Sequence, residues 1–202
     1  MAIEYRFIHA RRKGSKKNKH GKNGFRGGHS MTSSERLSAS RGQFPFTEIN
    51  GFKLKEVQWT VPDKKTRESR RRAFDKVREK FLMMIGQTME PALRDMGMSD
   101  KQIAQVKKGR SPVGYNVHHK LPIHGGGLNE FSNLILMPIG PHDELHHKVM
   151  DPQVAQMQSG ASKKVMIPWT DDMVYVDPSR KKDQPQQSAF FTHVMAARRK
   201  TR

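Results

Sequence analysis

Cysteine is absent from this 202-residue chain. Its absence excludes disulfide bonds, thiol catalysis and zinc sites with cysteine ligands, but it leaves the cellular compartment open. No run of about 18 apolar residues occurs, so we expect no membrane-spanning helix. The first residues also lack the apolar segment of a secretory signal. Because only 34% of the residues are hydrophobic, we expect a core over roughly two thirds of the chain, as one domain with tails.

Acidic residues are scarce. The chain has 38 Lys and Arg against 19 Asp and Glu, a net charge of +19 and a pI of about 10.4. Such an excess favours nucleic acid as the partner, with an acidic protein or an anionic membrane surface as the alternatives. Residues 1–31 carry nine Lys and Arg against one Glu, whereas residues 111–178 carry four lysines against seven acidic residues. We infer that the flanks bind the phosphate backbone, which carries no sequence information.

The pattern along the chain predicts an α+β protein with four regions. Residues 1–43 read as a flexible basic arm, because Gly and Ser separate the basic residues and apolar residues are few. Residues 44–110 form a basic, mainly helical region. It opens on a strand or loop at 44–61 and continues as a long helix over 63–95, bent or split at Gly86 or Pro91. A capping box, Ser99 to Gln102, begins a short helix that ends at Gly109.

The last two regions are predicted as follows. Residues 111–157 have the order strand, glycine-rich loop, strand, helix, with strands near 113–119 and 133–138. Residues 158–202 contain a β-hairpin that joins 164–169 to 173–176, a polar linker at 178–187 and a basic helix at 188–200.

Six of the ten histidines lie within thirty residues. They are His118, His119, His124, His142, His146 and His147. Residues four apart share a face of a helix, so His142 and His146 can bind one ion. Together with His118 they would make a three-histidine site with open positions for a phosphate oxygen or water, which is typical of catalytic rather than structural sites.

The remaining polar residues have separate roles in this interpretation. Adjacent strand residues point to opposite faces, so His119 cannot face the ion together with its neighbour and is left as the general base. A neutral imidazole suits that role at neutral pH. Asn133 cannot ionise, and we expect it to hydrogen-bond backbone across the loop and so hold the base. His124 and His147 are interpreted as bystanders.

Residues 99–157 resemble the HNH, or ββα-metal, nuclease motif. The matching positions are His118-His119, Pro122-Ile123, Gly125-Gly126, Asn133-Leu134, His142 and His146. The version most similar is that of colicin- and pyocin-type DNases and of bacterial polymorphic toxin nucleases. The resemblance implies a ββα-metal finger packed on the basic helical region. It also implies that His118, His142 and His146 bind one divalent ion (Mg, Zn, Ni or Mn), with His119 as the base and Asn133 as a positioning residue.

The sequence departs from the pattern of the colicin group at two positions. Asn116 and Lys120 stand where that group carries acidic residues, so no supporting carboxylate is carried over there. The expected activity is metal-dependent, largely sequence-non-specific hydrolysis of DNA, with RNA as the alternative substrate. The implied context is an antibacterial toxin, made in a bacterial cytoplasm, secreted, delivered to the cytoplasm of a target cell and neutralised by an acidic immunity protein. The alternatives are a phage or mobile-element nuclease and a non-catalytic nucleic-acid-binding protein with a structural metal.

Overall fold

The structure is a computed structural model that describes residues 31–178. The helices are α1 (Ser33–Ser40), α2 (Lys64–Thr88), α3 (Glu90–Asp95), α4 (Asp100–Lys107), α5 (Ile139–Leu145) and α6 (Asp151–Val154), and a π-helical turn (His146–Met150) joins α5 to α6. The strands are β1 (Glu48–Ile49), β2 (Phe52–Thr60), β3 (Tyr115–His119), β4 (Leu134–Pro138) and β5 (Ser162–Trp169). The predicted α+β class is confirmed. Within the described part, no helix is long and apolar enough to cross a membrane.

The long helix predicted over 63–95 is split in two at the proline. Asp63 caps α2 by accepting a hydrogen bond from the Thr66 amide at 2.9 Å. Pro91 lies in the first turn of α3, where its missing N–H costs nothing. Gly86 lies inside α2, which continues past it to Thr88. A Cβ there would lie 2.8 Å from the backbone nitrogen of Lys107, so the glycine lets α4 pack closely against α2.

Strand β4 is buried on both faces and lies between two hydrophobic cores. Leu134 and Leu136 pack with α2, α3 and α4 in one core. Ile135 and Met137 point the other way, into a core formed with β2, β5 and the helical segment from α5 to α6. This two-sided burial explains why the sequence of β4 is a continuous apolar run without polar alternation. The antiparallel hairpin of β3 and β4 is therefore anchored in both cores.

The C-terminal β-hairpin predicted from 164–169 and 173–176 is wrong. Strand β5 instead pairs antiparallel with β2 along its whole length, in a three-stranded sheet of order β1-β2-β5. The chain after β5 crosses to the other sheet, where the Leu136 amide donates to the Met173 carbonyl and the Tyr175 amide donates to the Leu136 carbonyl, both at 2.9 Å. Met173, Val174 and Tyr175 are all buried. Pairing with the interior strand β4 buries them, whereas a local hairpin would leave them exposed.

The prediction of a flexible arm over residues 1–43 is also wrong at Ser33–Ser40, which form a helix. Thr32 and Glu35 form a capping box that begins α1, and Ala39 of this helix is buried against the segment that contains α6. A Thr-Ser-Ser-Glu pattern is a known helix-start signal, and it stands in the sequence at 32–35. Residues 1–30 lie outside the described residues, as do the predicted helix at 188–200 and the linker beyond Pro178.

Candidate metal centre and general base

Three histidines from separate elements meet at one point. His118 comes from β3 and is 4% exposed, while His142 comes from α5 and His146 opens the π-helical turn. The ring centroids are 4.9 Å apart for His118 and His142, 5.1 Å for His118 and His146, and 4.8 Å for His142 and His146. One ring nitrogen of each lies within 4.8 Å of the other two. The structure thus brings together the three residues that the sequence proposed as ligands, here called the three-histidine cluster.

The chemistry of this cluster fits a divalent ion. Burial, and then repulsion from the other rings, lowers the pKa of His118 well below its usual value, and burial lowers the pKa of His142. Both rings are therefore held in the neutral form that binds metals. Asp143 Oδ1 lies 2.9 Å from His142 Nδ1, and Asp151 Oδ1 lies 3.5 Å from His146 Nδ1. A carboxylate behind Nδ1 turns Nε2 toward an ion. Tetrahedral zinc needs nitrogens about 3.3 Å apart, somewhat closer than the 4.8 Å within which these three lie.

His119 points away from the cluster, as strand alternation requires. Its ring lies 4.3 Å from the ring of Phe74 on α2, and its Nε2 lies 2.8 Å from Oδ1 of Asn129. The Asn129 amide nitrogen donates to the Arg70 carbonyl at 2.8 Å. Because a carbonyl can only accept, this contact fixes the orientation of the amide and makes His119 Nε2 the donor to Oδ1. Nδ1 of His119 consequently keeps its lone pair.

The surroundings of His119 also set its protonation state. Burial lowers the pKa of His119, so the ring is neutral at neutral pH, and the hydrogen bond that it donates to Asn129 opposes that shift only in part. Sequence reasoning missed Asn129, because an asparagine four residues before Asn133 in a glycine-rich loop matches no spacing rule.

Asn133 holds the loop between β3 and β4, as the sequence predicted for its side chain. Its Oδ1 accepts from the Leu121 amide at 2.8 Å, and its Nδ2 donates to the carbonyls of Leu121 and Leu128 at 3.0 and 2.9 Å. The residue is 9% exposed. Gly127 lies next to the Asn133 side chain, and a Cβ on Gly127 would lie 1.8 Å from the Leu121 carbonyl oxygen. The loop can therefore adopt this shape only with a glycine at that position.

The two other histidines lie outside the three-histidine cluster. His124 packs edge-on against Trp59, with ring centroids 4.7 Å apart, and burial lowers its pKa. His147 is exposed on the π-helical turn. These positions agree with the interpretation of both residues as bystanders of the ligand set.

Lys120 is a lysine whose burial the sequence analysis did not predict. It is 1% exposed, its Nζ donates to the Ser132 carbonyl at 2.9 Å, and it lies 5.6 Å from the ring centre of Trp169. Burial lowers its pKa to about 8, against the opposing effect of Asp171 and Asp172. Its charge therefore ties the loop to the segment after β5 and is not presented to solvent.

Helix α2 packs directly on His119 and on the loop between β3 and β4. Arg70 Nη1 donates to the carbonyls of Gly126 and Gly127 at 2.9 and 3.2 Å, and Phe74 covers His119. The opposite side of the helix is exposed and basic. Its exposed cations include Lys64, Lys65, Arg71, Arg72, Lys76 and Lys80. The exposed acids Asp75 and Glu79 lie among them, so this side of α2 carries a net positive but mixed surface.

Comparison with known proteins identifies one uncharacterized relative and no family. No protein-family model matches the chain, and no solved structure matches it. The chain is similar to "Uncharacterized protein YhhZ" of Escherichia coli (strain K12), with 32% identity over 132 residues, which is 65% of this chain and 30% of the relative. The chain thus spans less than a third of the length of that relative. This similarity assigns no activity.

Proposed function

We propose that this protein is a metal-dependent endonuclease of the HNH class that hydrolyses phosphodiester bonds of DNA with little sequence preference. The observation that carries the proposal is that two adjacent histidines of β3 face different partners. His118 faces two further histidines, with one ring nitrogen of each within 4.8 Å of the others, and the next residue, His119, faces the opposite side and keeps the lone pair of Nδ1. A single ion site beside a neutral imidazole is what metal-assisted hydrolysis requires.

The donor set narrows the choice of ion. All three candidate ligands are imidazoles, and no carboxylate belongs to the group among the described residues. Imidazole suits zinc, nickel and related transition metals, whereas magnesium prefers oxygen ligands. We therefore propose zinc or nickel ahead of manganese, and magnesium last. When bound, the ion would neutralise charge on the phosphate and stabilise the leaving oxygen.

The protein's own residues supply the proton transfer. His119 accepts the proton of the attacking water at Nδ1, because its Nε2 is committed to Asn129. Phe74 and Asn129 hold the ring from two sides, and Asn133 holds the loop that carries Asn129. These contacts keep the base in one tautomer and one orientation, which lowers the entropy cost of reaching the reactive geometry.

Helix α2 supplies the surface that binds the substrate. Its exposed cations lie on a helix that Arg70 joins by hydrogen bonds to the loop between β3 and β4. Backbone phosphates are the ligands that such a surface fits, and contacts of this kind do not read bases. Cleavage should therefore show little sequence preference and should weaken steeply as salt rises.

The decisive experiment is plasmid nicking by the purified protein with Zn²⁺, Ni²⁺, Mn²⁺ or Mg²⁺. Wild type should nick DNA, and His119→Ala should lose about 10²- to 10⁴-fold in rate. His147→Ala is the matched control, because His147 is exposed and outside the cluster. It should cut as well as wild type. Binding without cleavage under every ion would contradict the nuclease and favour a non-catalytic DNA-binding protein with a structural metal. A parallel RNA substrate separates the two nucleic acids.

The biological context is proposed on the family resemblance and the charge. A toxin acting in the cytoplasm of a target cell, blocked by an acidic immunity protein, fits a net charge of +19. Expression in a bacterial cytoplasm should then arrest growth, and His119→Ala should relieve the arrest. Growth unaffected by an active enzyme would instead favour a phage or mobile-element nuclease.

A further inference from the structure

The helix that carries two of the three histidines is interrupted where the second one stands. Residues His146–Met150 form a π-helical turn, and the Asp151 amide donates to the His146 carbonyl five residues earlier. In a regular α-helix, a residue five positions on points about 140° away from the first. A turn closed by an i→i+5 bond contains more residues, so residues five apart lie closer to the same side. The turn therefore moves Asp151 onto the same side as His146.

The side chains meet as this geometry requires. Asp151 Oδ1 lies 3.5 Å from His146 Nδ1, and the two side chains are 41% and 26% exposed. The local sequence supports the interruption, because Pro152 lies in the first turn of α6, where its missing N–H is tolerated. His142 needs no such device. Its carboxylate partner is its sequence neighbour, Asp143, at 2.9 Å.

We propose that the π-helical turn makes Asp151 a positioning residue for the metal site. The carboxylate holds the proton of His146 on Nδ1 and so directs Nε2 toward the ion. This inference rests on the metal site of the proposed function, and no resemblance or spacing rule points to Asp151. A partly exposed ring without such a partner populates two tautomers and several orientations. An ion would then have to select one of them, at a cost in affinity.

Zinc affinity of the full-length protein tests the role of Asp151. In titration calorimetry with Zn²⁺, Asp151→Ala should weaken binding by about 10- to 100-fold. Asp151→Asn keeps an acceptor oxygen without the charge, and its loss should be smaller. Glu144→Gln is the matched control, since this carboxylate lies on the same helical segment but bonds Asn50 and Lys148 rather than a histidine. It should stay within about threefold of wild type.

Wild-type protein provides a second readout that does not depend on the folding of a variant. Long-range ¹H–¹⁵N NMR of the zinc-bound protein should show His146 with a proton on Nδ1 and the ion on Nε2. The ion on Nδ1, or Asp151→Ala binding zinc within threefold of wild type, would overturn the role of Asp151 while leaving the metal site intact. Wild type that binds no divalent ion would overturn both proposals. Zinc binding without DNA cleavage would overturn only the nuclease.

Discussion

Removal of the Asn133 side chain gives the sharpest test of what holds the loop between β3 and β4. Asn133→Ala deletes three hydrogen bonds that join the two ends of the loop, at 2.8, 2.9 and 3.0 Å. Each such bond contributes about 1 kcal/mol net, and a buried partner left unpaired costs more. All three of these bonds are partly buried. The expected loss is therefore about 3 kcal/mol in the free energy of unfolding.

Urea unfolding of the ion-free protein, followed by circular dichroism, measures this loss directly. In thermal melts, about 3 kcal/mol corresponds to roughly 6–12 °C for a domain of this size. Asn133→Asp should destabilise at least as much, because a carboxylate cannot donate to the two carbonyls that the amide nitrogen serves. Asn116→Ala is the control, since Asn116 is exposed on the neighbouring strand. If Asn133→Ala unfolds within about 0.5 kcal/mol of this control, the loop is not held by these bonds.

Three further predictions concern the same region. Asn129→Ala should release His119 from one tautomer, and ¹⁵N NMR of the ion-free protein at pH 8 should change from a single protonated Nε2 to a mixture; an unchanged spectrum would contradict the assigned hydrogen bond. Gly127→Ala should cost roughly 2–4 kcal/mol, because its Cβ would meet a backbone oxygen that cannot yield, whereas Gly140→Ala, with nothing near its Cβ, should cost nothing in the same urea titration. Lys120 has a folded pKa of about 8, below its unfolded value of 10.5, so the unfolded chain binds more protons between these values and wild-type stability should rise as pH rises through this window. Lys120→Met should remove that rise in melts recorded from pH 7 to 10, and an equally steep profile would refute the burial of the amine.

Local signals in the sequence predicted much of the fold. Ser99 and Gln102 cap α4 through bonds between residues three apart, and such bonds depend on nothing beyond the helix itself. The apolar run of β4 predicted a buried strand, because every one of its side chains needed a hydrophobic neighbour. The wrong hairpin shows the limit of this reasoning. Strand β5 was found, but its partner was β2, roughly a hundred residues away along the chain.

In the candidate site too, some features follow from local geometry and others from tertiary packing. The spacing of His142 and His146 placed both on one side of a helix whatever the rest of the chain does, because helical geometry is local. The choice of Asn129 as the partner of His119 required α2 to pack on the loop, since the Arg70 carbonyl orients the amide. The approach of Asp151 to His146 required a π-helical turn, and the burial of Lys120 required the segment after β5 to cover it.

The sequence by itself therefore determined which residues are available for chemistry, and on which faces of their strand or helix they lie. These properties follow from backbone geometry over a few residues. Only the tertiary structure decided the contacts that set the chemical state of each histidine. The tautomer and orientation of His119 and the neutral form of His118 depend on burial and on partners from distant elements. Such partners are chosen by the packing of the whole domain, and no local pattern encodes them.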